Sequence, residues 1–309
     1  MPARSLLRAV LQVTGAFRPE VVVFDLTHRC NSACRGCAFR DPQPGELPAS
    51  RWGELAREAA ALGFQEALLT GGEPLSHPDI ATILPAVAAR LPVSLMTNGL
   101  ALLKHAPLVR AHAARVFVSF DAATPATYRL LRGVDGLDAL VAGARALAGH
   151  ALHARVTVWA ENVVELPAIV ELATTAGFTE LSFLAADTTS DGFGNRGDTR
   201  GTSPRPEQAL ELAATLTALR RLPLVKTSDY AIDRVVRLAR GQREAPRCLA
   251  PWTSGVVDPS GAWRHCFFLP TRAATGAGLR AAIDSTRAER RALDLPGNPT
   301  CRACVCWRG

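Results

Sequence analysis

The chain has 309 residues, 48% of them hydrophobic, enough for a barrel-sized domain plus a small appendage built around a real core. That excludes wholesale disorder and a collagen-like repeat. The formal charge is +7, yet only Lys104 and Lys226 are lysines and the arginines are scattered along an Ala-rich chain with 6% aromatics. Without a basic patch or interleaved aromatic residues, nucleic acid is not the expected partner. No apolar run approaches the roughly 18 residues of a membrane span, and candidates such as Val21–Phe24 are strand-sized. Arg4, Arg8 and Arg18 interrupt Leu6, Leu7 and Leu11, and no small-residue cleavage pattern follows, so a signal peptide is not expected.

In chain order, residues 1–20 read as a helical extension. Val21–Leu26 is a β-branched strand, and Arg51–Leu62 follows with helical periodicity, stopped by Gly63. Further strands are predicted at Ala67–Leu69, Val93–Met96, Val116–Phe120, Ala154–Val158 and Leu181–Leu184. Between and after them lie helical stretches at Pro78–Arg90, Ala101–Ala114, Gly136–Ala148, Leu166–Ala176 and Glu207–Leu219. Such alternation implies an α/β fold with a parallel sheet, here an open, partial (β/α)6 TIM-type barrel over residues 21–221. Residues 187–206 are rich in Gly, Asp, Thr and Pro and read as a long loop. From about Leu222 the alternation breaks down, and residues 222–309 are expected to form a small C-terminal domain.

Eight cysteines fall into two groups separated by about 210 residues that contain none. Such clustering fits metal ligation in a reducing compartment, hence a cytoplasmic location, better than a disulfide scaffold. Cys30, Cys34 and Cys37 form C-x3-C-x2-C just after the first strand. Three thiolates can hold three irons of a cubic cluster and leave the fourth open, while a zinc site would need a fourth ligand such as His28. The next strands end in Thr70-Gly71-Gly72-Glu73-Pro74, Thr97-Asn98-Gly99 and Ser119-Phe120-Asp121. In a parallel barrel these ends converge on one face, where glycines admit a ligand to the backbone and carboxylates accept from amines and hydroxyls.

This set, read as THRCNSACRGC, TGGEP, TNG and VSFDA in order, resembles the radical S-adenosylmethionine (SAM) superfamily over residues 20 to 220. The resemblance implies that Cys30, Cys34 and Cys37 hold a [4Fe–4S] cluster whose open iron chelates SAM. Gly71, Gly72 and Glu73 would meet the methionyl amine, Ser119 and Asp121 would lie near the carboxylate and ribose, and Asn98 would belong to the same cofactor site. Reductive cleavage of SAM would then yield a 5′-deoxyadenosyl radical that takes a hydrogen from substrate. The starting electron would come from a reductant such as flavodoxin or ferredoxin. Gly36 stands where the family usually carries an aromatic residue against the adenine, with Phe39 the nearest replacement.

On the fifth strand, alternation sets His153, Arg155 and Thr157 on one face and Ala154, Val156 and Val158 on the other. An inward arginine needs an anion. Either the SAM carboxylate or a local Asp or Glu would serve Arg155.

In the second group, Cys248 and Cys266 flank a strand, an Asp258-Pro259-Ser260-Gly261 turn and a second strand, and Cys301, Cys304 and Cys306 follow. Four such thiolates suit zinc and iron–sulfur alike. Behind a radical SAM core, C-x12-G-x4-C plus C-x2-C resembles SPASM and twitch domains, which hold auxiliary [4Fe–4S] clusters. Five cysteines suffice for one auxiliary cluster, on Cys248, Cys266, Cys301 and Cys304, with Cys306 spare or in place of Cys304.

The resemblance leaves the substrate open. Few residues precede the first strand, so no leader-gripping N-terminal domain is expected. The loop residues Asp187, Asp191, Asn195, Arg196 and Asp198 suit a polar substrate, or simply a solvated surface. No cysteine is left as a hydrogen donor in the barrel, which favours oxidation over epimerisation. The leading expectation is an oxidoreductase acting on a small polar natural-product or cofactor precursor, with the auxiliary cluster as electron acceptor. The alternatives are a maturase of a ribosomally made peptide and a non-enzymatic iron–sulfur or zinc scaffold.

Overall fold

The computed structural model describes residues 10–11, 13–35, 37, 45–186, 203–242, 248–267, 269, 272–294 and 297. Six strands alternate with helices in its first part. They are β1 Val21–Asp25, β2 Glu66–Thr70, β3 Val93–Thr97, β4 Arg115–Ser119, β5 Leu152–Val158 and β6 Glu180–Ala185. The intervening helices are α1 Ala49–Ala61, α2 Ile80–Ala88, α3 Leu102–His112, α4 Pro125–Arg132, α5 Leu137–Ala146 and α6 Leu166–Thr175. Then come α7 Ala209–Leu219, α8 Asp229–Ala239, α9 Ala250–Thr253, β7 Ser254–Val257, β8 Ala262–Arg264, β9 Ala273–Ala274, α10 Leu279–Ser285 and α11 Arg287–Ala292.

Strands β1 to β6 pair in sequence order, all parallel, as the strand–helix alternation predicts. The result is the expected open, partial barrel. Parity along each strand separates two faces. Val22, Phe24, Leu69, Leu95, Val118 and Val156 pack outward against the helices in the main core. On the opposite parity, Val21, Val23, Leu68 and Val256 cluster with Met96, Phe117 and Phe267 inside the barrel. Helix α1 docks through Trp52, Leu55, Ala56 and Ala59, a spacing that puts all four on one stripe.

Two elements differ from the sequence reading. Helix α4 went unrecognised although its signals are present: Thr124 caps it, Pro125 opens it and Gly133 closes it in the left-handed region. Helix α8 lies where the alternation was expected to end, with Ile232, Val235, Val236 and Ala239 as its buried face.

The C-terminal hairpin is continuous with the barrel sheet. Strand β7 pairs parallel to β1 on the edge away from β2, Val21 to Ser254 through Phe24 to Val257, and β8 then runs antiparallel to β7. The Asp258 carboxylate holds the turn by accepting from the Ser260 and Ala262 amides and the Ser260 hydroxyl. Among the described residues, no helix is long and apolar enough to cross a membrane.

Candidate active site at the barrel mouth

The segment after β1 carries Cys30, Cys34 and Cys37, all half-buried. Its base is fastened on both sides. Toward β2, the Gly72 and Glu73 amides donate to the carbonyls of Thr27 and Arg29 at 2.7 and 2.8 Å. From the following chain, Glu46 accepts from the Thr27 hydroxyl (2.7 Å) and lies 3.5 Å from Arg29 Nε. Gly71 permits this approach: its φ is +148°, and a Cβ there would sit 2.5 Å from the Thr27 carbonyl oxygen.

Glu73 has no exposed surface. One carboxylate oxygen accepts from the Leu75 amide (3.0 Å) and the Thr97 hydroxyl (2.8 Å), the other from the Asn98 amide (2.7 Å). The side chain therefore ties the β2 loop to the β3 loop, and what this loop offers a ligand is the Gly71–Gly72 backbone. Burial pushes the Glu73 carboxyl up to about 7, against the pull of its three donors. Asn98 continues outward, its Nδ2 2.7 Å from Asn31 Oδ1 and 3.8 Å from Cys30 Sγ.

At the end of β4, Ser119 is half-buried and registers with Arg155 of β5. Asp121, expected near a ribose, is committed within the protein. Its carboxylate pairs with Arg132 at 2.5 Å and accepts from the Thr157 amide at 2.7 Å. Arg132, on the helix that the sequence reading missed, places its other terminal nitrogen 3.6 Å from Cys34 Sγ. Burial pulls the Arg132 guanidinium down, but Asp121 and the Cys34 sulfur outweigh it and hold it above its ordinary value.

Inside the barrel, Arg155 lies over the Phe117 ring with 4.8 Å between guanidinium carbon and centroid, a cation–π contact. His153 bridges Ser182 Oγ (2.8 Å) and Glu180 (3.2 Å), and burial with Arg155 and Arg115 pushes it down to about 4, so it is neutral at pH 7. His28, the imidazole considered for a zinc site, has Nε2 3.6 Å from Asp25 Oδ2.

Residues 24–173 match the family model of the radical SAM superfamily. The match takes in just under half of this chain. Two curated relatives flank it in different ways. A probable GTP 3′,8-cyclase of Methanopyrus kandleri is 36% identical over 157 residues, covering 48% of this chain and 51% of the cyclase. The PqqA peptide cyclase of Gluconobacter oxydans is 28% identical over 260 residues, covering 80% of this chain and 70% of that cyclase. The matched segment thus spans about half the length of the first relative. Among solved structures, Streptococcus suis SuiB bound to precursor peptide SuiA aligns with a TM-score of 0.72 at 15% identity, over 98% of this chain and 75% of SuiB.

The family match implies a SAM-binding [4Fe–4S] cluster, and the cysteine loop fits one. Burial pushes the Cys30 thiol up to about 11, with Glu73, Cys34 and Cys37 adding to the rise. A buried thiol so raised needs a metal's positive charge beside it to become a thiolate. Asn98 and Arg132 already aim donors at two of the sulfurs, as cluster thiolates require. Gly36 and Phe39, weighed for adenine contact, lie outside the described residues, as do Asp187, Asp191, Asn195, Arg196 and Asp198.

The second cysteine group is split. Cys301, Cys304 and Cys306 lie outside the described residues. Cys248 and Cys266 are both half-buried. Cys248 packs beside Leu11, Trp252 and Leu293, and the carbonyls of Trp252 and Thr253 accept from Arg18 and Glu20 just before β1. Because β8 runs back along β7, Cys266, two residues past Arg264, also lies toward the start of β1. The first group sits past the end of β1. Cys248 and Cys266 therefore lie toward the opposite end of the barrel from Cys30, Cys34 and Cys37.

Between them Asp25, fully buried at the top of β1, faces His28 Nε2 at 3.6 Å and Arg264 Nη2 at 4.0 Å. Burial raises its carboxyl above the ordinary range. Besides Arg132, the sequence reading missed Ser32, Glu46 and Glu165; only the Thr-Pro…Gly frame of α4 offered a signal for one of them.

Proposed function

We propose that this radical SAM enzyme oxidises a C–H-bearing substrate held inside the barrel, between a catalytic cluster at the mouth and an auxiliary cluster at the floor. The supporting observation is the β1–β7 pairing, which makes the hairpin part of the barrel wall and sets Cys248 and Cys266 at its far end. On this reading Cys30, Cys34 and Cys37 hold the SAM-binding cluster, and Cys248, Cys266, Cys301 and Cys304 hold the auxiliary one. Bound there, the two clusters and SAM would supply one-electron reductive cleavage, hydrogen abstraction and an acceptor for the substrate electron.

The chain's own residues do the rest. Gly71 and Gly72 leave room at the backbone for the methionyl group, and Glu73 fixes that loop from below. Arg132 holds its positive charge beside Cys34, and Ser119 and Asn98 complete the cofactor rim. Arg155 would face the cofactor carboxylate or an anionic group of the substrate, while Val21, Val23, Leu68 and Val256 give the opposite wall an apolar surface.

For the substrate, a ribosomally made peptide is the better supported class. The peptide cyclase matches 80% of this chain, the GTP cyclase 48%. A small polar precursor remains the second reading, supported by His153, Arg155 and Ser182 along the inner face of β5 and β6. Coexpression with the short reading frames beside its gene decides between them. A peptide that loses two hydrogens supports the first, and incorporation of substrate deuterium into 5′-deoxyadenosine marks the abstraction step. Unmodified peptides, with turnover of a small polar metabolite instead, would establish the second.

A further inference from the structure

Helix α4 ends against the cysteine loop, and its last turn is built to receive it. The Ala33 amide donates to the Arg132 carbonyl at 3.0 Å and the Arg35 amide to the Leu131 carbonyl at 3.1 Å. These are carbonyls that a helix C-terminus leaves without intrahelical partners. Ser32 adds its hydroxyl to the Arg132 carbonyl at 2.9 Å, and the same oxygen lies 3.2 Å from Cys34 Sγ. Ser32 is buried, so the contact is part of the packed structure. Gly133 closes the helix with φ +69°, and a Cβ there would run into the Ala33 carbonyl, 2.8 Å from its carbon as well as against its oxygen.

We infer that Gly133 and the C-terminal turn of α4 are a positioning device for Cys34. The helix end sets where the middle of the cysteine loop sits, and Gly133 is the residue that lets the two backbones meet. The other end of α4 is fixed independently. Glu165 accepts from the Ala123 amide and from the hydroxyls of Thr124 and Thr127, so the helix cannot slide to relieve a clash at Gly133. This inference rests on Cys30, Cys34 and Cys37 being the cluster ligands.

The test compares Gly133→Ala with Gly149→Ala. Gly149 has φ +80° but nothing within 4 Å of a built Cβ, so it carries the same backbone strain without the clash. Both proteins are reconstituted anaerobically, and the EPR signal that responds to added SAM, its iron loss to a chelator and the rate of SAM cleavage are measured. Gly149→Ala should match the wild type in all three. Gly133→Ala should lose iron at least several-fold faster, show an altered SAM-responsive signal and cleave SAM on the order of a hundredfold more slowly, the scale of a displacement of about 1 Å. Equal behaviour of the two variants overturns the inference. If Gly133→Ala does not fold, Ser32→Ala decides: faster iron loss supports the device and an unchanged rate overturns it. Cys34→Ala runs alongside; if it keeps the full SAM-responsive signal, the ligand reading itself fails and the inference falls with it.

Discussion

Glu73 shows how a single buried carboxyl can hold two loops and leave a thermodynamic trace. Burial disfavours the charge and pushes this carboxyl up to about 7 from its ordinary value of 4.5. The folded protein therefore keeps this proton to a higher pH than the unfolded chain does. Stability from this group is greatest below about pH 4.5 and declines by about 3 kcal/mol as pH rises to about 7. In urea unfolding of the metal-free protein, Glu73→Gln should remove that slope, and an unchanged slope would reassign the titration. Arg132 and Asp121 make the complementary case. Removing the guanidinium alone, in Arg132→Met, leaves a buried carboxylate without its cation and should cost about 3–5 kcal/mol. Adding Asp121→Asn should recover part of that loss, because the uncompensated charge goes with it. No recovery would mean that packing, rather than the ion pair, carries the effect.

At the scale of elements, α4 and the β7–β8 hairpin carry the site's alignment. The Glu165 carboxylate accepts four hydrogen bonds around the start of α4. Burial alone would raise its pKa, but the donors from Thr127, Ala123 and Thr124 outweigh it and bring the value below the ordinary range. Its contribution is therefore present above the unfolded pKa and is lost as pH falls through the lower folded one. Glu165→Ala should lower stability at pH 7 by about 1–2 kcal/mol, with the difference from wild type shrinking in acid. A difference that stays constant with pH would contradict the ionic account. In the hairpin, Gly255 lies under the Trp263 ring, where a Cβ would overlap the ring and come 2.8 Å from the Arg264 carbonyl oxygen. Trp263 is fully buried and has no room to retreat. Gly255→Ala should destabilise by about 1–3 kcal/mol, the usual penalty of overpacking, and should loosen β7 from β1. Hydrogen exchange at the β7 amides reads this directly.

For the whole molecule, the sheet order brings opposite ends of the chain into one wall, since β7 lies beside β1. Cys248 and Cys266 then lie toward the start of β1 and the cysteine loop past its end, with the five residues of β1 between them. Reconstituted protein is expected to carry about eight irons, four in each cubic cluster. Replacing Cys30, Cys34 and Cys37 together should leave about half and abolish SAM cleavage. Replacing Cys248 and Cys266 should also leave about half while SAM cleavage persists and oxidised product is lost. Metal analysis that finds one zinc beside four irons would rule out the auxiliary cluster and its part in oxidation.

The sequence by itself determined the parallel strand–helix order, the cysteine loop after β1 and the convergence of the GGEP, TNG and SFDA ends. These are local signals: period, punctuation and short spacing, each visible within a dozen residues. It also carried the hairpin turn, because Asp258-Pro259-Ser260-Gly261 encodes it in four residues. Only the tertiary structure decided that the hairpin extends the barrel wall beside β1, since β pairing between residues 21 and 254 leaves no mark on either strand. It likewise decided that Asp121 spends its charge on Arg132 and that Glu73 turns inward to the Asn98 amide. The same holds for the end of α4, which receives the cysteine loop. Those partners are set by packing between segments distant in the chain, where residue type reveals that a carboxylate needs a donor but not which donor it finds.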